Sequence, residues 1–187
     1  MAALKEAVFM MLYHGSPVPG LTRLLPFQSN HDRPYVYLTH SPALAALYAH
    51  NPMTRPNGWF TYRWDREGRL HYDEYFPGQL TALYQGQAGC VYAVEAELPT
   101  LEKMPWIYLS EAPVQATSCQ VIPDLLSHLL SLEAQGELVL HRYETLSSTA
   151  RESIRRIVQH EIEKNALREH PESEYALFLR RYMPDVW

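Results

Sequence analysis

The sequence has few cysteines and no long apolar run. Its 187 residues include two cysteines, Cys90 and Cys119, which lie too far apart for a zinc-type spacing and indicate no disulfide framework. Reduced thiols of this kind are typical of cytoplasmic proteins. No stretch approaches the length of about twenty apolar residues that a membrane helix requires, and the first eleven residues, with Glu6 among them, make a poor signal peptide. We therefore expect a soluble, cytoplasmic protein without a membrane segment.

The sequence also lacks an excess of basic residues. It has 16 Lys and Arg against 21 Asp and Glu, which gives a formal net charge of −5. Without surplus cations there is no general attraction to nucleic-acid phosphates. With 47% hydrophobic and 20% charged residues, the composition is that of an ordinary globular protein. The length suffices for one ample core with an appendage.

Two short apolar runs near the N-terminus end in small polar residues. The first, residues 12–16, closes with His-Gly-Ser, and the second is residues 35–39. Ser41 and Pro42 come soon after the second run, and a serine N-cap with proline at the first helical position predicts a helix start. Residues 17–34 contain four prolines, which predicts a loop. The stretch therefore predicts a strand, a loop, a strand and a helix, in that order.

Three groups of residues in this stretch carry chemistry. They are His14-Gly15-Ser16 at the end of the first predicted strand, Tyr37-Leu38-Thr39 in the second, and Tyr48 on the helix. A histidine followed by glycine places an imidazole beside an open backbone that a ligand can approach closely. The arrangement resembles the ADP-ribosyltransferase superfamily, in particular the diphtheria-toxin-like branch with the poly-ADP-ribose polymerases and the rifampin-modifying transferases. The resemblance is strongest over about forty residues and covers at most about two thirds of the chain.

The resemblance implies an α+β fold with a split β-sheet core and with NAD as the substrate. In such a site His14 would hydrogen-bond a ribose hydroxyl, and the backbone of Gly15 would pair with the nicotinamide carboxamide. Tyr37 or Tyr48 would stack on the nicotinamide ring. The residues expected to bind NAD are His14, Gly15, Ser16, Tyr37, Thr39 and Tyr48. His14 and Tyr37 are also expected in the catalytic group, together with an acidic residue.

Active members of the resembled family keep a late glutamate, because cleavage of NAD passes through an oxocarbenium-like ribosyl cation that a carboxylate stabilises. Alignment on Pro113-Val114 places that position near residues 106–108, which hold no carboxylate. Glu111, in the loop that follows, is the first candidate for the catalytic acid. Glu95 and Glu97, on the preceding predicted strand, come next. Each of these three glutamates is also explained as an ordinary solvent-exposed side chain. If none of them reaches the NAD site, the fold would bind a nucleotide without catalysing transfer.

The rest of the sequence divides at residue 123. Up to that point strands predominate, predicted at residues 59–64, 69–76, 89–98, 106–109 and 114–122, with a hairpin turn at 65–68 and a short helix at 79–84. Amphipathic helices follow at 124–134, over about twenty residues after 147–149, and from 173 to 182, with a short strand at 138–143. We expect an ADP-ribosyltransferase-like β-rich domain over 10–123 and a helical C-terminal region over 124–187 packed on it.

The nine histidines raise the question of a metal site. The metal-capable side chains in the first half of the chain include His31, Asp32, His40, His50, His71 and Asp73. None of them forms a ligand pair on one helical face, so histidines scattered over loops are the simpler interpretation and no metal ligand is assigned.

The sequence as a whole thus favours NAD-dependent transfer of ADP-ribose to an unidentified acceptor, either a protein, a nucleic acid or a small molecule. The alternative is a non-catalytic nucleotide- or ligand-binding protein on the same fold. Metal-dependent hydrolysis is a third and less favoured function. The acceptor and the oligomeric state stay open.

Overall fold

The structure is a computed structural model that describes residues 10–28, 33–50, 62–98, 100–101 and 104–187. Within these residues the chain forms eleven strands, five α-helices and one 3-10 turn, Tyr143–Thr145. The strands are β1 (Met10–Ser16), β2 (Arg23–Leu24), β3 (Val36–Thr39), β4 (Tyr62–Trp64), β5 (Leu70–Asp73), β6 (Gly89–Ala96), β7 (Thr100–Leu101), β8 (Met104–Ser110), β9 (Val114–Gln115), β10 (Ser118–Ile122) and β11 (Leu138–His141). The helices are α1 (Pro42–Leu47), α2 (Gln79–Tyr84), α3 (Leu125–Gln135), α4 (Ser148–Lys164) and α5 (Glu174–Tyr182). The α+β class expected from the sequence is confirmed.

Contacts divide the described residues into two compact units, each built from two separate stretches of chain. The first unit lies within Met1–His50 and Gly86–Leu129, and the second within Asn51–Gln85 and Leu130–Trp187. The sequence instead predicted a division at residue 123, between 10–123 and 124–187. The grouping differs because β5 and β11 pair in parallel, so that residues 62–85 belong with the C-terminal helices.

A six-stranded antiparallel sheet forms the frame of the first unit, in the order β10-β6-β1-β3-β8-β7. β1 lies inside this sheet and pairs with β6 along its whole length, from Met10 opposite Ala96 to Ser16 opposite Cys90. β2 and β9 form a separate two-stranded sheet. The buried core of the unit contains Leu12, Leu24, Val36, Leu38, Cys90, Tyr92 and Val94.

Helix α1 begins as the sequence predicts. The Ser41 hydroxyl accepts a hydrogen bond from the Leu44 N–H at 3.1 Å, and Pro42 opens the first turn. All the residues of α1 after Pro42 are buried, because this short helix packs against β1, β3 and β6. None of the helices in the described part of the chain combines the length and the apolar character that crossing a membrane requires.

In the second unit a small sheet is joined to the C-terminal helices. β5 lies between β4, to which it is antiparallel, and β11, to which it is parallel. Phe76 lies just after β5, and its ring centroid is 5.8 Å from that of Phe178 and 4.8 Å from that of Tyr182, both on α5. The core of the unit therefore combines residues from both of its stretches of chain.

One buried carboxylate connects three parts of the second unit. Glu74, at the end of β5, is 2% exposed. Its Oε1 accepts a hydrogen bond from the Leu80 N–H at 2.8 Å, and its Oε2 accepts one from the Tyr143 N–H at 3.1 Å. Glu74 thus satisfies a free N–H in the first turn of α2 and also holds the chain that follows β11.

Most predicted elements are present with shorter bounds. The predicted strand 59–64 is seen as β4, and residues 59–61 lie outside the described residues. The predicted strand 114–122 is divided into β9 and β10, because the chain changes partners between them. The Ala116 N–H donates to Thr22, beside β2, at 3.0 Å, whereas the Thr117 N–H donates to Ala93 of β6 at 2.9 Å.

Candidate functional site

The candidate site lies where β1 and β3 separate. Among the described residues these strands pair at one position, Tyr13 opposite Thr39, whereas β1 stays paired with β6 as far as Ser16. Beyond that position the His14 side chain spans the opening, since its Nδ1 lies 2.8 Å from the carbonyl oxygen of Tyr37. The structure therefore brings the His-Gly-Ser motif and the Tyr-Leu-Thr motif together, at a break in the sheet.

The hydrogen bond to Tyr37 fixes the tautomer of His14. A carbonyl oxygen only accepts, so Nδ1 carries the proton and Nε2 presents a lone pair. Burial lowers the pKa of His14 by more than the bond to Tyr37 raises it, which keeps the ring neutral at neutral pH. Nε2 forms no hydrogen bond with the described residues. With respect to those residues it is therefore a free acceptor, suited to a hydroxyl group of a ligand.

Gly15 is required by the helix that packs on it. A Cβ built at this position would lie 1.9 Å from the carbonyl oxygen of Ala45 and 2.9 Å from the nitrogen of Ala49. The backbone of α1 thus occupies the space that a side chain would need. The sequence analysis connected this glycine with a close approach of the ligand, but packing alone explains it. The edge of Gly15 that faces β3 has no strand partner among the described residues.

The loop after β1 runs across the face of the sheet that carries His14. His14 and Tyr92 are cross-strand partners, so their side chains point to the same face. The Tyr92 hydroxyl donates to the carbonyl oxygen of Val18 at 2.6 Å and accepts from the Leu21 N–H at 3.0 Å. These two bonds fix residues 17–22 on that face.

The hydroxyls of Ser16 and Thr39 bond to nearby backbone. Ser16 Oγ accepts from the Val18 N–H at 3.2 Å, and Thr39 Oγ1 accepts from the Ser41 N–H at 3.2 Å. Both side chains are buried. They shape the chain where it leaves β1 and enters α1, and their contact with NAD stays a prediction.

The rings of Tyr37 and Tyr48 do not share a face of the sheet with His14. Leu38 belongs to the core on the His14 side, so strand alternation puts the Tyr37 ring on the opposite face, against which α1 packs. There it meets Tyr35 edge-on, with ring centroids 6.1 Å apart. Tyr48 caps α1 and is 41% exposed. Any ligand that touches His14 and these phenol rings together has to pass between the separated strands.

Glu111, the first candidate for the catalytic acid, lies one residue beyond β8. Its carboxylate is 3.3 Å from the guanidinium of Arg33, and the two side chains are 61% and 62% exposed. β8 and β1 flank β3 on opposite sides, which puts two strand spacings, or about 10 Å across the sheet, between Glu111 and His14. The register adds an offset of about three residues along the strands, because Glu111 lies level with Tyr35 and His14 lies level with Leu38. Glu95, on β6, and Glu97, just beyond it, are exposed as well. The role of each carboxylate stays a prediction.

The sequence analysis missed a cluster of Asp65, His71 and His141 in the second unit. Asp65 Oδ2 lies 3.0 Å from His71 Nε2, and His71 Nδ1 lies 2.8 Å from His141 Nε2. The sequence His71-Tyr72-Asp73 could have indicated part of this cluster, because alternation along a strand puts its two polar residues on the same face. The pairing of β5 with β11, which brings in His141, has no such local signal.

Those of the metal-capable histidines that the structure describes do not form a common centre. No three His, Cys, Asp or Glu side chains are placed to hold a metal ion in the part of the chain that the structure describes. His40 is exposed, and His50 is buried, which lowers its pKa more than a bond to the Leu47 backbone raises it. His31 and Asp32 lie outside the described residues.

Comparisons of the chain with protein-family models, with curated proteins and with solved structures give no match. Any function is therefore argued from the residues of this chain and their geometry. The two features that bear on it are the neutral His14 at the break between β1 and β3 and the polar cluster of the second unit.

Proposed function

We propose that the first unit binds NAD at the opening between β1 and β3 and transfers its ADP-ribosyl group to an acceptor. The proposal combines the resemblance of the His-Gly-Ser, Tyr-Leu-Thr and Tyr48 pattern to the ADP-ribosyltransferases with one observation. That observation is the imidazole of His14, which is oriented by Tyr37 and kept neutral by burial, and whose Nε2 accepts no hydrogen bond from the residues that the structure describes. A sheet that separates beside this motif also fits the split core expected of such a fold.

NAD would use the opening as follows. A ribose hydroxyl donates to Nε2 of His14 on one face of the sheet. The nicotinamide lies between the separated strands, where its carboxamide reaches the backbone edge of Gly15 that faces β3. The phenol rings of Tyr37 and Tyr48, on the α1 face, are then available to pack against the nicotinamide ring.

In the transfer step the bond between ribose C1′ and the nicotinamide nitrogen breaks, and its electron pair leaves with nicotinamide. The resulting ribosyl cation takes an electron pair from the acceptor, which releases a proton. A carboxylate stabilises this transition state. Glu111 would first have to leave Arg33, and breaking an exposed ion pair of this kind costs at most about 1 kcal/mol.

The replacement His14→Ala tests the binding site. We expect NAD affinity to fall by about 1 to 3 kcal/mol, because a ribose hydroxyl loses its buried acceptor, which corresponds to a change of about 5- to 150-fold in the dissociation constant. Isothermal titration calorimetry with NAD measures this change. His160→Ala, on the exposed face of α4, is the matched control. Equal affinities for the two variants, or no binding of NAD to the wild-type protein, would rule out the site.

The replacement Glu111→Gln separates catalysis from binding. A carboxylate that contacts the ribosyl cation as its charge develops acts on turnover and not on ground-state affinity. We expect the variant to bind NAD as the wild-type protein does and to release nicotinamide at least about tenfold more slowly. Mass spectrometry of released nicotinamide gives the rate. Unchanged turnover would exclude Glu111 and direct the search for the acid to Glu95 and Glu97.

The second candidate function is binding of NAD or a related nucleotide without transfer. The exposed ion pair of Glu111 with Arg33, on the far side of β3 from His14, favours it. Under this alternative, the wild-type protein binds NAD with the His14 dependence described above and releases no nicotinamide with any acceptor, water included.

A further inference from the structure

A connected group of charged side chains lies on one face of the β11-β5-β4 sheet. The register places Arg63 and Val139 opposite His71, and His141 opposite Asp73, so these five side chains share a face. The opposite face is apolar and buries Leu70, Tyr72, Leu138 and Leu140. The polar group is therefore no part of the hydrophobic core.

Asp65, His71 and His141 form a continuous hydrogen-bonded chain on this face, with the distances of 3.0 Å and 2.8 Å given above. The planes of the two imidazoles are within 13° of each other and their centroids are 5.1 Å apart. This is about as far apart as the centroids can be when two ring nitrogens are in contact at 2.8 Å. The rings therefore meet edge to edge along one line, the alignment that favours a hydrogen bond between them.

Arg63 determines where the protons of this chain lie. Its Nη2 is 3.3 Å from Nε2 of His141, and a guanidinium only donates, so this nitrogen of His141 is an acceptor. His71 must then donate to it through Nδ1, and it also donates to the Asp65 carboxylate through Nε2. This hydrogen-bond pattern requires both ring protons on His71 and places the proton of a neutral His141 on Nδ1.

The outer end of the chain presents two donors. His141 Nδ1 and Arg63 Nη1 have no hydrogen-bond partner among the residues that the structure describes. Their side chains are 32% and 51% exposed, and Asp73 holds the Nε of Arg63 at 3.3 Å. Neighbouring N–H donors, one of them on a guanidinium, suit the oxygens of a phosphate group.

The charges in and around the chain balance. Arg69 lies 2.7 Å from Asp65 and 3.7 Å from Glu67. The three acidic groups, Asp65, Glu67 and Asp73, therefore face three cations, Arg63, Arg69 and His71. Affinity for an anion at this place has to come from the two free donors and not from a surplus of positive charge.

We propose that Asp65, His71, His141 and Arg63 form a second ligand site, which binds the phosphate group of a phosphate ester and supplies a proton to it. When His141 gives its Nδ1 proton to an oxygen of the ester, His71 passes its own Nδ1 proton to Nε2 of His141. His71 ends neutral, still bonded to Asp65, and now accepts from His141. One proton has left the chain and a later proton from water restores it.

The test uses the intact protein with inorganic phosphate as the probe. Nitrogen-15 NMR of the histidine rings should show His71 protonated on both nitrogens and His141 protonated on Nδ1, and phosphate should shift the His141 signals in a saturable way. Arg63→Gln should weaken phosphate binding at least about tenfold, which is about 1.4 kcal/mol. Arg180→Gln, an exposed arginine on α5, is the matched control.

Asp65→Asn tests the relay apart from the binding. It should remove the Nε2 proton of His71, which then accepts from the asparagine amide, and leave the Nδ1 protons of His71 and His141 in place. Three outcomes would overturn the proposal: a singly protonated His71 in the wild-type protein, phosphate that leaves His141 unshifted, or equal phosphate affinity for the two arginine variants. The first two are read on the wild-type protein and so do not depend on the folding of any variant.

Discussion

Replacing Gly15 by alanine is expected to destabilise the first unit by more than about 3 kcal/mol, the upper end of what overpacking usually costs. The added Cβ would lie 1.9 Å from the carbonyl oxygen of Ala45, and the obstacle is the backbone of a buried helix, not a side chain that can rotate. Typical domains are stable by about 5 to 15 kcal/mol, so the change removes a large fraction of the total. Urea unfolding followed by circular dichroism measures the loss.

Gly86→Ala is the control for Gly15→Ala. Gly86 has a positive φ of 69° and open space where a Cβ would be, so alanine there costs only the strain of a left-handed conformation, about 1 to 2 kcal/mol. A similar loss of stability in both variants would mean that α1 moves aside easily. If Gly15→Ala instead folds normally and fails only to bind NAD, the ligand and not the helix explains this glycine.

Glu74→Gln is expected to lower the unfolding free energy of the second unit by about 2 to 4 kcal/mol. The two carboxylate oxygens accept from the N–H groups of Leu80 and Tyr143, and glutamine can replace only one of them. Its amide nitrogen then faces the other N–H, which leaves a buried donor unsatisfied at about 1 to 3 kcal/mol, more where a charged acceptor is lost. Urea unfolding of the two proteins gives the difference.

Glu163→Gln, at an exposed position of α4, removes the same charge without removing a buried acceptor and is expected to change stability by less than about 0.5 kcal/mol. Equal stability of the Glu74 and Glu163 variants would contradict the role given to Glu74. Burial and, to a smaller extent, the neighbouring Glu74 raise the pKa of Tyr72 well above its usual range.

Local signals in the sequence predicted the elements around the opening. Ser41 and Pro42 mark the start of α1, and the apolar runs that end in His-Gly-Ser and Tyr-Leu-Thr are β1 and β3. The parallel pairing of β5 with β11 was not predictable in this way, because the register of Leu138 opposite Leu70 depends on contacts between distant parts of the chain. The same pairing places residues 62–85 in one unit with the C-terminal helices, a grouping that no local signal in the sequence indicates.

The chemical roles were less predictable than the elements that carry them. The sequence singled out His14 and Tyr37, but the observed contact joins the His14 ring to the Tyr37 carbonyl oxygen, which any residue at position 37 could supply. Gly15 was interpreted through a ligand, whereas α1 already fills the space beside it. Which side of a strand a helix covers is a tertiary property, so the alternation of residues alone could not decide it.

The parallel pairing of β5 with β11 also bears on the order in which the chain folds. At about 5 to 20 residues per second, a ribosome completes residues 62–85 several seconds before β11, α4 and α5. During that time Phe76 has no core to enter, and the carboxylate of Glu74 has only one of its two backbone partners. Pairing of distant segments slows folding, so the second unit should be the last part of this protein to fold and the part most dependent on chaperones during synthesis.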